Sequence, residues 1–445
     1  MRKLAAVLIC KILCLIGHII GKGSSLPGQV ALKLYPNILS EIKLPETIIA
    51  VSGSNGKTST TEMIAHILHS CGLRIAYNKE GANQTEGIAT TVCRLCKLSG
   101  KLKYDVLLME CDESYAAAIF KHIKPTIFAV TNLYRDQLTR NHHFEYVCER
   151  LDKAVTVITE YNKNITLILN GDDPISSVLR KHCDAVYFGM NKNDLSVDKN
   201  KCGAYDDGNC PICKTHLTYE YRQFGCIGEY KCDNCGYNRP KTEYTITNVD
   251  MQDGTVELNN TYKIGITLKT MYNAYNVLAA FAVCSKAGID GDRIASALND
   301  YLLKSGRTFT FDINGRNGTF MTCKHENSTA YNQAISYLTR QNPCDFVIIV
   351  DEISRKYYTS DASWLWDIDF EKLIAENIKR VILVGKYKYH LALRMKYAGL
   401  ENKTILTDFN EMIKTIDNSP DKSDIFISTC FSDKAKFLKE LSNKK

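Results

Sequence analysis

Short apolar runs alternate with amphipathic stretches along the first part of the chain. Runs rich in β-branched and apolar residues occupy positions 47–51, 106–109, 127–130, 165–169 and 186–188. Strands that are buried on both faces read as continuous apolar runs, and the stretches between these runs have a helical pattern. The alternation therefore predicts an α/β fold with a mostly parallel, doubly wound sheet.

The pattern changes after this sheet. Residues 243–268 predict short antiparallel strands with a turn at Asp253-Gly254, and residues 273–288 predict a helix that Gly288 caps. A second α/β unit is predicted after Arg307, with strands at 347–350, 381–384 and 425–428.

These patterns divide the chain into three predicted segments. A helical lead-in covers residues 1–46, a central domain covers 47–306, and a C-terminal α/β domain covers 307–445. A stretch rich in Cys, Tyr, Asn and Gly, from about 200 to 240, is predicted to be an insertion in the central domain.

The lead-in opens with an apolar stretch, residues 4–20, which Lys11 and His18 interrupt. A membrane-spanning helix needs about 20 apolar residues, and no small-residue cleavage site follows cleanly. The stretch fits three interpretations: a helix packed on the central domain, a helix that lies on a membrane surface, or a membrane span or signal.

Composition narrows the class of protein. Of the 445 residues, 45% are hydrophobic and 24% are charged, which excludes a largely disordered chain. The net charge of +7 is a mild excess that favours anionic partners such as phosphates or an anionic membrane surface. The chain has 18 cysteines, and a large chain with no clear export signal fits a reducing cytosol, where such thiols act as apolar fillers or metal ligands.

A glycine-rich loop joins the first predicted strand to a helix. It contains Gly53, Asn55, Gly56, Lys57, Thr58 and Ser59. Backbone amides at a helix N-terminus bind phosphate, Lys57 would reach the β- and γ-phosphates, and the Thr58 hydroxyl would bind Mg²⁺. The loop therefore predicts ATP binding, although its spacing is two residues shorter than the common phosphate loop and a simple Gly-rich turn is the alternative.

Acidic residues follow the later strands. Glu110, Asp112 and Glu113 come directly after the second long strand, where a carboxylate can hold Mg²⁺ on phosphate oxygens. Glu110 is the preferred magnesium ligand, and a solvated loop acid is the alternative. The segments 131–137 and 170–174 follow the next two strands, and the second of them could equally be a turn.

The inserted stretch carries metal-ligand spacing. Cys210 and Cys213 form one Cys-x2-Cys pair, and Cys232 and Cys235 form another. Two such pairs predict a tetrahedral Zn²⁺ site, and four thiolates leave no open position for catalysis. The predicted role is therefore structural.

Several motifs occur in an order typical of one family. VSGSNGKTSTTEMIAHIL, TNLYRDQL, LNGDDP and NAYNVLAA resemble successive motifs of the Mur ligases, and NKEGANQTEGIAT and DASWLWDIDFE narrow the resemblance to the MurT type. MurT-type proteins are the synthetase subunits of lipid II isoglutaminyl synthase. The resemblance covers essentially the whole chain.

The resemblance implies a reaction and a partner. A glutaminase subunit of the GatD type would release ammonia, and this chain would use ATP and Mg²⁺ to convert a carboxylate to an acyl phosphate that ammonia attacks. The substrate would be the α-carboxyl of D-glutamate in the stem peptide of lipid II, at the inner face of the membrane, and the product D-isoglutamine. No nucleic acid is expected as a partner.

The resemblance also assigns residues. Asn273 and Asn276 match the asparagines expected near adenine, and Arg307 matches an arginine placed near the phosphates. Asp361 matches the aspartate thought to orient the catalytic His of the glutaminase, although a helix cap is the alternative and Asp367 the fallback. Related ligases have His at the position of Gln137, whereas MurT-type sequences commonly carry Gln there.

Two other functions remain open on the sequence. The chain could be a stand-alone Mur-type ligase that adds an amino acid without a glutaminase. It could also be a nucleic-acid-binding ATPase, as a zinc ribbon suggests, although the ribbon has little basic clustering.

Overall fold

The structure is a computed structural model that describes residues 2–20, 24–78, 82–134, 144–198, 208–302, 308–324, 326–353, 361–420 and 422–442. Within these ranges the chain forms two compact units, over residues 2–302 and 308–442. The domain boundaries drawn from the sequence, after residues 46 and 306, stay predictions.

In the part of the chain that the structure describes, the first unit begins with three helices, alternates strands and helices over residues 47–190, and ends with five strands and two helices. Its elements are α1 (Arg2–Ile20), α2 (Leu26–Leu34), α3 (Ile38–Glu41), β1 (Thr47–Ser52), α4 (Lys57–Ser70), β2 (Ile75–Tyr77), α5 (Thr85–Leu95), β3 (Val106–Glu110), α6 (Ala116–Phe120), β4 (Ile127–Val130), α7 (Phe144–Tyr161), β5 (Thr166–Asn170), α8 (Pro174–Ser177), β6 (Ala185–Met190), β7 (Thr218–Phe224), β8 (Ile227–Lys231), β9 (Tyr244–Asp250), β10 (Thr255–Leu258), β11 (Tyr262–Gly265), α9 (Met271–Lys286) and α10 (Gly291–Asn299).

Over the described residues, the first unit contains a nine-stranded sheet in the order β11-β10-β9-β6-β5-β4-β1-β3-β2. In this order the neighbours from β9 through β6, β5, β4, β1 and β3 to β2 pair in parallel, whereas β9, β10 and β11 pair antiparallel. Asp253 and Gly254 lie in the turn between β9 and β10, where Gly254 has a φ of +72°. The mostly parallel sheet and its antiparallel extension are confirmed.

Alternate residues of β1 face two different cores, which explains why the whole strand is apolar. Ile49 and Val51 pack with α4 and α9, whereas Ile48 and Ala50 pack with α2, α5 and α6. Helices therefore cover both faces of the sheet, as a doubly wound fold requires. Helix α9 ends at Lys286, and Gly288, with a φ of +87°, donates its amide to Ser285 O just beyond it.

Helix α1 packs on the first unit through one of its faces. Ala6, Val7 and Cys10 are fully buried in the core that α5 shares, in agreement with the packed-helix interpretation. Along the described residues, no helix combines the length and the apolar character that a membrane span requires.

The Cys-rich stretch forms a small ribbon. Strands β7 and β8 pair antiparallel, and turns that carry the two Cys pairs flank the hairpin. Cys210, Cys232, Leu217, Tyr230 and Tyr237 form the ribbon's own small core. The predicted insertion with its own fold is thus observed over residues 208–240.

The second unit is also α/β. Its elements are β12 (Thr308–Ile313), β13 (Arg316–Cys323), α11 (Ser328–Leu338), β14 (Cys344–Ile349), β15 (Ile378–Val384), α12 (Lys388–Tyr397), β16 (Thr404–Thr407), α13 (Phe409–Asp417), β17 (Asp424–Cys430) and α14 (Phe431–Ser442). The sheet order over the described residues is β12-β13-β17-β14-β15-β16, with only the β12–β13 pair antiparallel.

The sequence predicted strands that became β14, β15 and β17 but did not predict the β12–β13 hairpin. Asn314 and Gly315 form its turn with φ values of +52° and +80°. An Asn-Gly pair is the preferred sequence for a two-residue hairpin turn, because both central residues need positive φ. That dipeptide was the signal available in the sequence.

Asp345 neutralises two arginines inside the second unit. The carboxylate is fully buried on β14, and its Oδ2 lies 2.7 Å from Arg316 Nη2 and 2.6 Å from Arg380 Nη2. Arg316 also donates to the backbone carbonyl of Ser423, and Arg380 to that of Thr415. One acidic side chain therefore links β13, β14 and β15.

We expect Asp345→Ala to lower the free energy of unfolding of the second unit by about 3–5 kcal/mol, because it leaves two arginines poorly compensated in the interior. Chemical denaturation followed by circular dichroism measures this loss. The control is Glu411→Ala, which breaks an exposed pair with Lys414 and should change stability by about 0.5 kcal/mol or less. Equal effects of the two variants would contradict the structural role given to Asp345.

Candidate functional site

The predicted phosphate loop connects β1 to α4 and has a conformation that requires its glycines. Gly53 has a φ of +128°, and a Cβ atom there would lie 2.3 Å from Thr131 Oγ1. Gly56 has a φ of +81°, and a Cβ atom there would lie 2.1 Å from Asn276 Oδ1. Only glycine combines such backbone angles with such close approach.

The end of β4 fixes the loop by hydrogen bonds. Asn132 Oδ1 accepts from Asn55 N at 2.8 Å, and Asn132 Nδ2 donates to Asn55 O at 3.0 Å. The Thr131 hydroxyl also donates to Asn55 O, at 2.6 Å. Asn132 and Thr131 thus shape the loop. The amides of the first turn of α4 have no carbonyl of a preceding turn to bond, so they are suited to an anion.

Lys57 lies at the start of α4 and is almost completely buried. Its Nζ donates to Gly53 O and to Glu113 Oε1. Burial acts to lower the pKa of Lys57, but the neighbouring carboxylates, Glu113 foremost and then Glu110 and Asp112, raise the pKa above its ordinary value. The ammonium group is therefore held in its charged form at the loop.

Strand β3 brings its terminal carboxylates beside this loop. Glu110 pairs in register with Val51, two residues before Gly53. Glu110, Asp112 and Glu113 are each at most 4% exposed. The position of Glu110 at the strand end favours it as the magnesium ligand, and Glu113 makes the direct contact with Lys57.

The segment between β2 and α5 orients Glu110. Asn78 accepts from Glu110 N and donates to Glu110 O, both at 2.9 Å, and so continues the strand pairing with a side chain. Asn83 Nδ2 donates to Glu110 Oε1 at 2.9 Å. These two asparagines belong to the motif that narrowed the family resemblance. Their contacts with Glu110 were not visible in the sequence.

Helix α9 carries Asn273 and Asn276, the two residues predicted to contact adenine, on the side that packs against α4. Asn276 Oδ1 faces Gly56 and lies 3.5 Å from Thr60 Oγ1, while Asn273 Nδ2 is buried without a hydrogen-bond partner among the described residues. A buried donor without a partner fits a ligand that offers an acceptor. Adenine contact by these residues stays a prediction. Arg307 and Gln137 lie outside the described residues.

The acidic turn after β5 has a structural role. Asp173 Oδ2 accepts from Leu133 N at 2.7 Å, and Asp173 Oδ1 caps α8 by accepting from Ile175 N. Asp172 binds Arg239 and accepts from the Tyr275 hydroxyl at 2.5 Å. Burial raises the pKa of Asp173 to about 7. This turn links β4, α9 and the ribbon.

The four ribbon cysteines lie together, as predicted. Their Sγ atoms are all within 4.8 Å of one another, with Cys210–Cys235 at 3.6 Å and Cys213–Cys232 at 3.4 Å. Tetrahedral coordination with metal–sulfur bonds of about 2.3 Å places sulfurs about 3.8 Å apart. The cluster therefore has the dimensions to hold one metal ion.

Asp361 lies at the start of a short 3₁₀ helix, Ser363–Asp367, in the second unit. Its side chain is exposed, and Oδ1 accepts from Ser363 N at 2.9 Å. This bond closes a local Asx turn just before the helix, whose N-cap residue is Ala362, and the proposed role of Asp361 toward a glutaminase stays a prediction. Two side chains hold this segment in place. Trp364 is buried at 2% exposure, and Asn332 forms hydrogen bonds with the backbone of Asp367 and Asp369.

Comparisons with known families agree with this arrangement. Residues 51–236 match the Mur ligase middle domain, and residues 325–432 match the MurT ligase C-terminal family. Solved structures that the chain resembles include a pseudomurein peptide ligase type C from Methanothermus fervidus, with a TM-score of 0.68 at 20% identity over 96% of this chain and 84% of that one. MurF from Acinetobacter baumannii gives a TM-score of 0.65 at 15% identity over 93% and 80%. The Mur ligase-like fold is therefore confirmed.

Curated relatives match over nearly the whole chain. The lipid II isoglutaminyl synthase (glutamine-hydrolyzing) subunit MurT of Streptococcus pneumoniae is 30% identical over 422 residues, which cover 92% of this chain and 90% of that protein. The MurT subunit of Staphylococcus aureus strain COL is 29% identical over 404 residues, with 90% and 89% covered. The chain therefore belongs to the MurT family and is a Mur-type ligase.

Proposed function

We propose that this chain is the ATP-dependent synthetase subunit that amidates the α-carboxyl of D-glutamate in the stem peptide of lipid II, during peptidoglycan synthesis. The observation that carries the proposal is the buried Lys57 in the phosphate loop, ion-paired with Glu113 beside Glu110, in a chain that matches MurT subunits almost end to end. The chain works on a lipid-linked substrate at the cytoplasmic face of the membrane.

The reaction needs an activated carboxylate, because a carboxylate is a poor electrophile. ATP supplies the γ-phosphoryl group, which gives an acyl phosphate and ADP; ammonia then displaces phosphate and leaves the amide. Catalysis of such a transfer consists mainly of positioning and charge stabilisation.

The chain's own groups divide this task. Lys57 and the first amides of α4 would neutralise phosphate charge, and Glu110, oriented by Asn83, would hold Mg²⁺ together with the Thr58 hydroxyl. Glu113 keeps Lys57 charged and aligned with the loop. Asn273 and Asn276 bind the adenine edge, and Arg307 contacts the phosphates.

Ammonia is proposed to come from a glutaminase subunit of the GatD type that binds the second unit. Asp361 is exposed there, which leaves it accessible to a partner's His. Nearby on the 3₁₀ helix, Trp366 is 37% exposed and contacts Tyr397 of α12 at 5.5 Å between ring centroids; Tyr397 is 72% exposed. Exposed aromatic pairs of this kind are typical of protein interfaces.

The ribbon is proposed to hold one structural Zn²⁺ on Cys210, Cys213, Cys232 and Cys235. Its sulfur spacings support this assignment. Metal binding would stabilise a hairpin whose own apolar core is small.

The test of the proposed function is the purified chain combined with a glutaminase, ATP, Mg²⁺, glutamine and lipid II, followed by mass spectrometry of the stem peptide. Replacement of one hydroxyl by an amino group supports the proposal. Addition of a whole amino acid without the glutaminase would indicate a stand-alone ligase, and ATP turnover stimulated only by nucleic acid would indicate the ATPase alternative.

We expect Lys57→Ala to lower amidation at least about a hundredfold, because a cationic contact to the transferring phosphate is lost. The variant also leaves the buried Glu113 without its ion-pair partner, so the free energy of unfolding is measured in parallel. The double variant Lys57→Ala/Glu113→Gln removes the stranded charge and should regain stability but not activity. Amidation near the wild-type rate by the double variant would contradict the assignment of the loop.

Asp361→Asn should reduce glutamine-dependent amidation far more than amidation driven by high free ammonium, because Asp361 acts on ammonia release alone. Asn retains the Oδ1 acceptor that Ser363 N uses, so the local turn should survive. Activity with each nitrogen source is compared in the assembled complex, with Asp408→Asn, an exposed aspartate of the second unit, as the control and Asp367→Asn as the test of the fallback residue. If Asp361→Asn amidates at the wild-type rate with both nitrogen sources, only the hydrogen bond to Ser363 N remains as a role for Asp361.

Cys232→Ser should reduce bound zinc from about one ion per chain to nearly none and lower the unfolding temperature. The matched control is Cys226→Ser, since Cys226 lies in the same ribbon but outside the four-sulfur cluster. Elemental analysis under reducing, chelator-free conditions measures the metal. Zinc loss from both variants, or absence of zinc in the wild type, would contradict the site.

A further inference from the structure

Helix α1 has two apolar faces, and only one of them packs on the protein. Ala6, Val7 and Cys10 are fully buried. Leu4, Leu8, Ile12, Leu15 and Ile16 remain 46–71% exposed, and we call these five residues the α1 stripe. At about 100° per residue they share an arc of about 120°, centred opposite the buried residues.

The α1 stripe forms an apolar surface that no described part of the chain covers. Its residues run along about 18 Å of helix, from Leu4 to Ile16. Scattered exposed leucines are common, but five on one helical face are not scattered. The stripe has the form expected of a helix that lies in an interface rather than one that crosses a membrane.

Positive charge borders the stripe. In the same helical projection, Lys11 falls just beyond one edge of the arc and Arg2 just beyond the other. Lys11 Nζ is oriented by a hydrogen bond to Arg94 O. Residues 1–40 contain five lysines and arginines and no aspartate or glutamate, although the chain as a whole has 56 basic and 49 acidic residues.

We infer that the α1 stripe docks this protein on a membrane surface that contains anionic lipids. The apolar side chains enter the boundary between headgroups and acyl chains, and Arg2 and Lys11 lie at the level of the lipid phosphates. The absence of acidic residues from residues 1–40 favours an anionic bilayer over a second copy of this helix, which would bring like charges together.

This inference deepens the proposed function and rests on it for its purpose, because a lipid-linked substrate is reached most readily by an enzyme that lies on the bilayer. Docking limits the search for substrate to the membrane plane. Binding to lipid can nevertheless be measured without the reaction.

The test is co-sedimentation of the full-length protein with vesicles that contain no lipid II. One set contains phosphatidylcholine alone, and the other contains phosphatidylcholine with phosphatidylglycerol. The variant Leu8→Ser/Ile12→Ser removes two residues of the stripe, which are 46% and 47% exposed. The matched control Leu302→Ser/Leu438→Ser makes the same changes at exposed leucines outside α1.

We expect the wild type and the control to bind the anionic vesicles at least tenfold more tightly than the stripe variant, and more weakly at high salt or on phosphatidylcholine alone. Equal melting temperatures would show that the variants are folded. Failure of the wild type to bind, equal binding by the stripe variant, or a dimer that only the stripe variant loses would overturn the inference. Amidation of lipid II in detergent tests the proposed function separately, since detergent removes the need for docking.

Discussion

The candidate active site depends on the close approach of the Gly53–Thr58 loop to Thr131 on one side and Asn276 on the other. With Cβ positions at 2.3 and 2.1 Å from those side chains, neither Gly53 nor Gly56 has room for a larger residue. Hydrogen bonds from Thr131 and Asn132 at the end of β4 and the close approach of Asn276 on α9 hold the loop from both sides. The conformation of the loop therefore depends on the assembled sheet and its helices.

Electrostatics at the loop follow from the same packing. The end of β3 places three buried carboxylates around one ammonium group, so negative charge exceeds positive charge at the edge of the sheet. This excess matches the proposed Mg²⁺, whose charge would complete the balance. The interior of the second unit shows the opposite arrangement, because there two arginines share the carboxylate of Asp345.

Asp172 connects the ribbon to helix α9, which carries the proposed adenine-binding residues of the first unit. It binds Arg239 at the end of the ribbon, accepts from the Tyr275 hydroxyl on α9 and accepts from Gly228 N through its backbone carbonyl. A metal ion in the ribbon would thus stabilise a module that contacts the helix carrying Asn273 and Asn276. The contacts of Asp172 favour the turn over the site role that the sequence left open for residues 170–174.

The sequence alone determined the features that depend on local chemistry. Apolar runs located the strands β1, β3 to β6, β14, β15 and β17, paired Cys-x2-Cys spacing located the cluster, and the glycines with Lys57 located the loop. Only the tertiary structure decided that Glu113 pairs with Lys57, that Asn78 and Asn83 orient Glu110, and that one face of α1 stays exposed. Short-range signals reside in neighbouring residues, whereas these contacts join strands and helices whose relative positions are set by packing of the whole core.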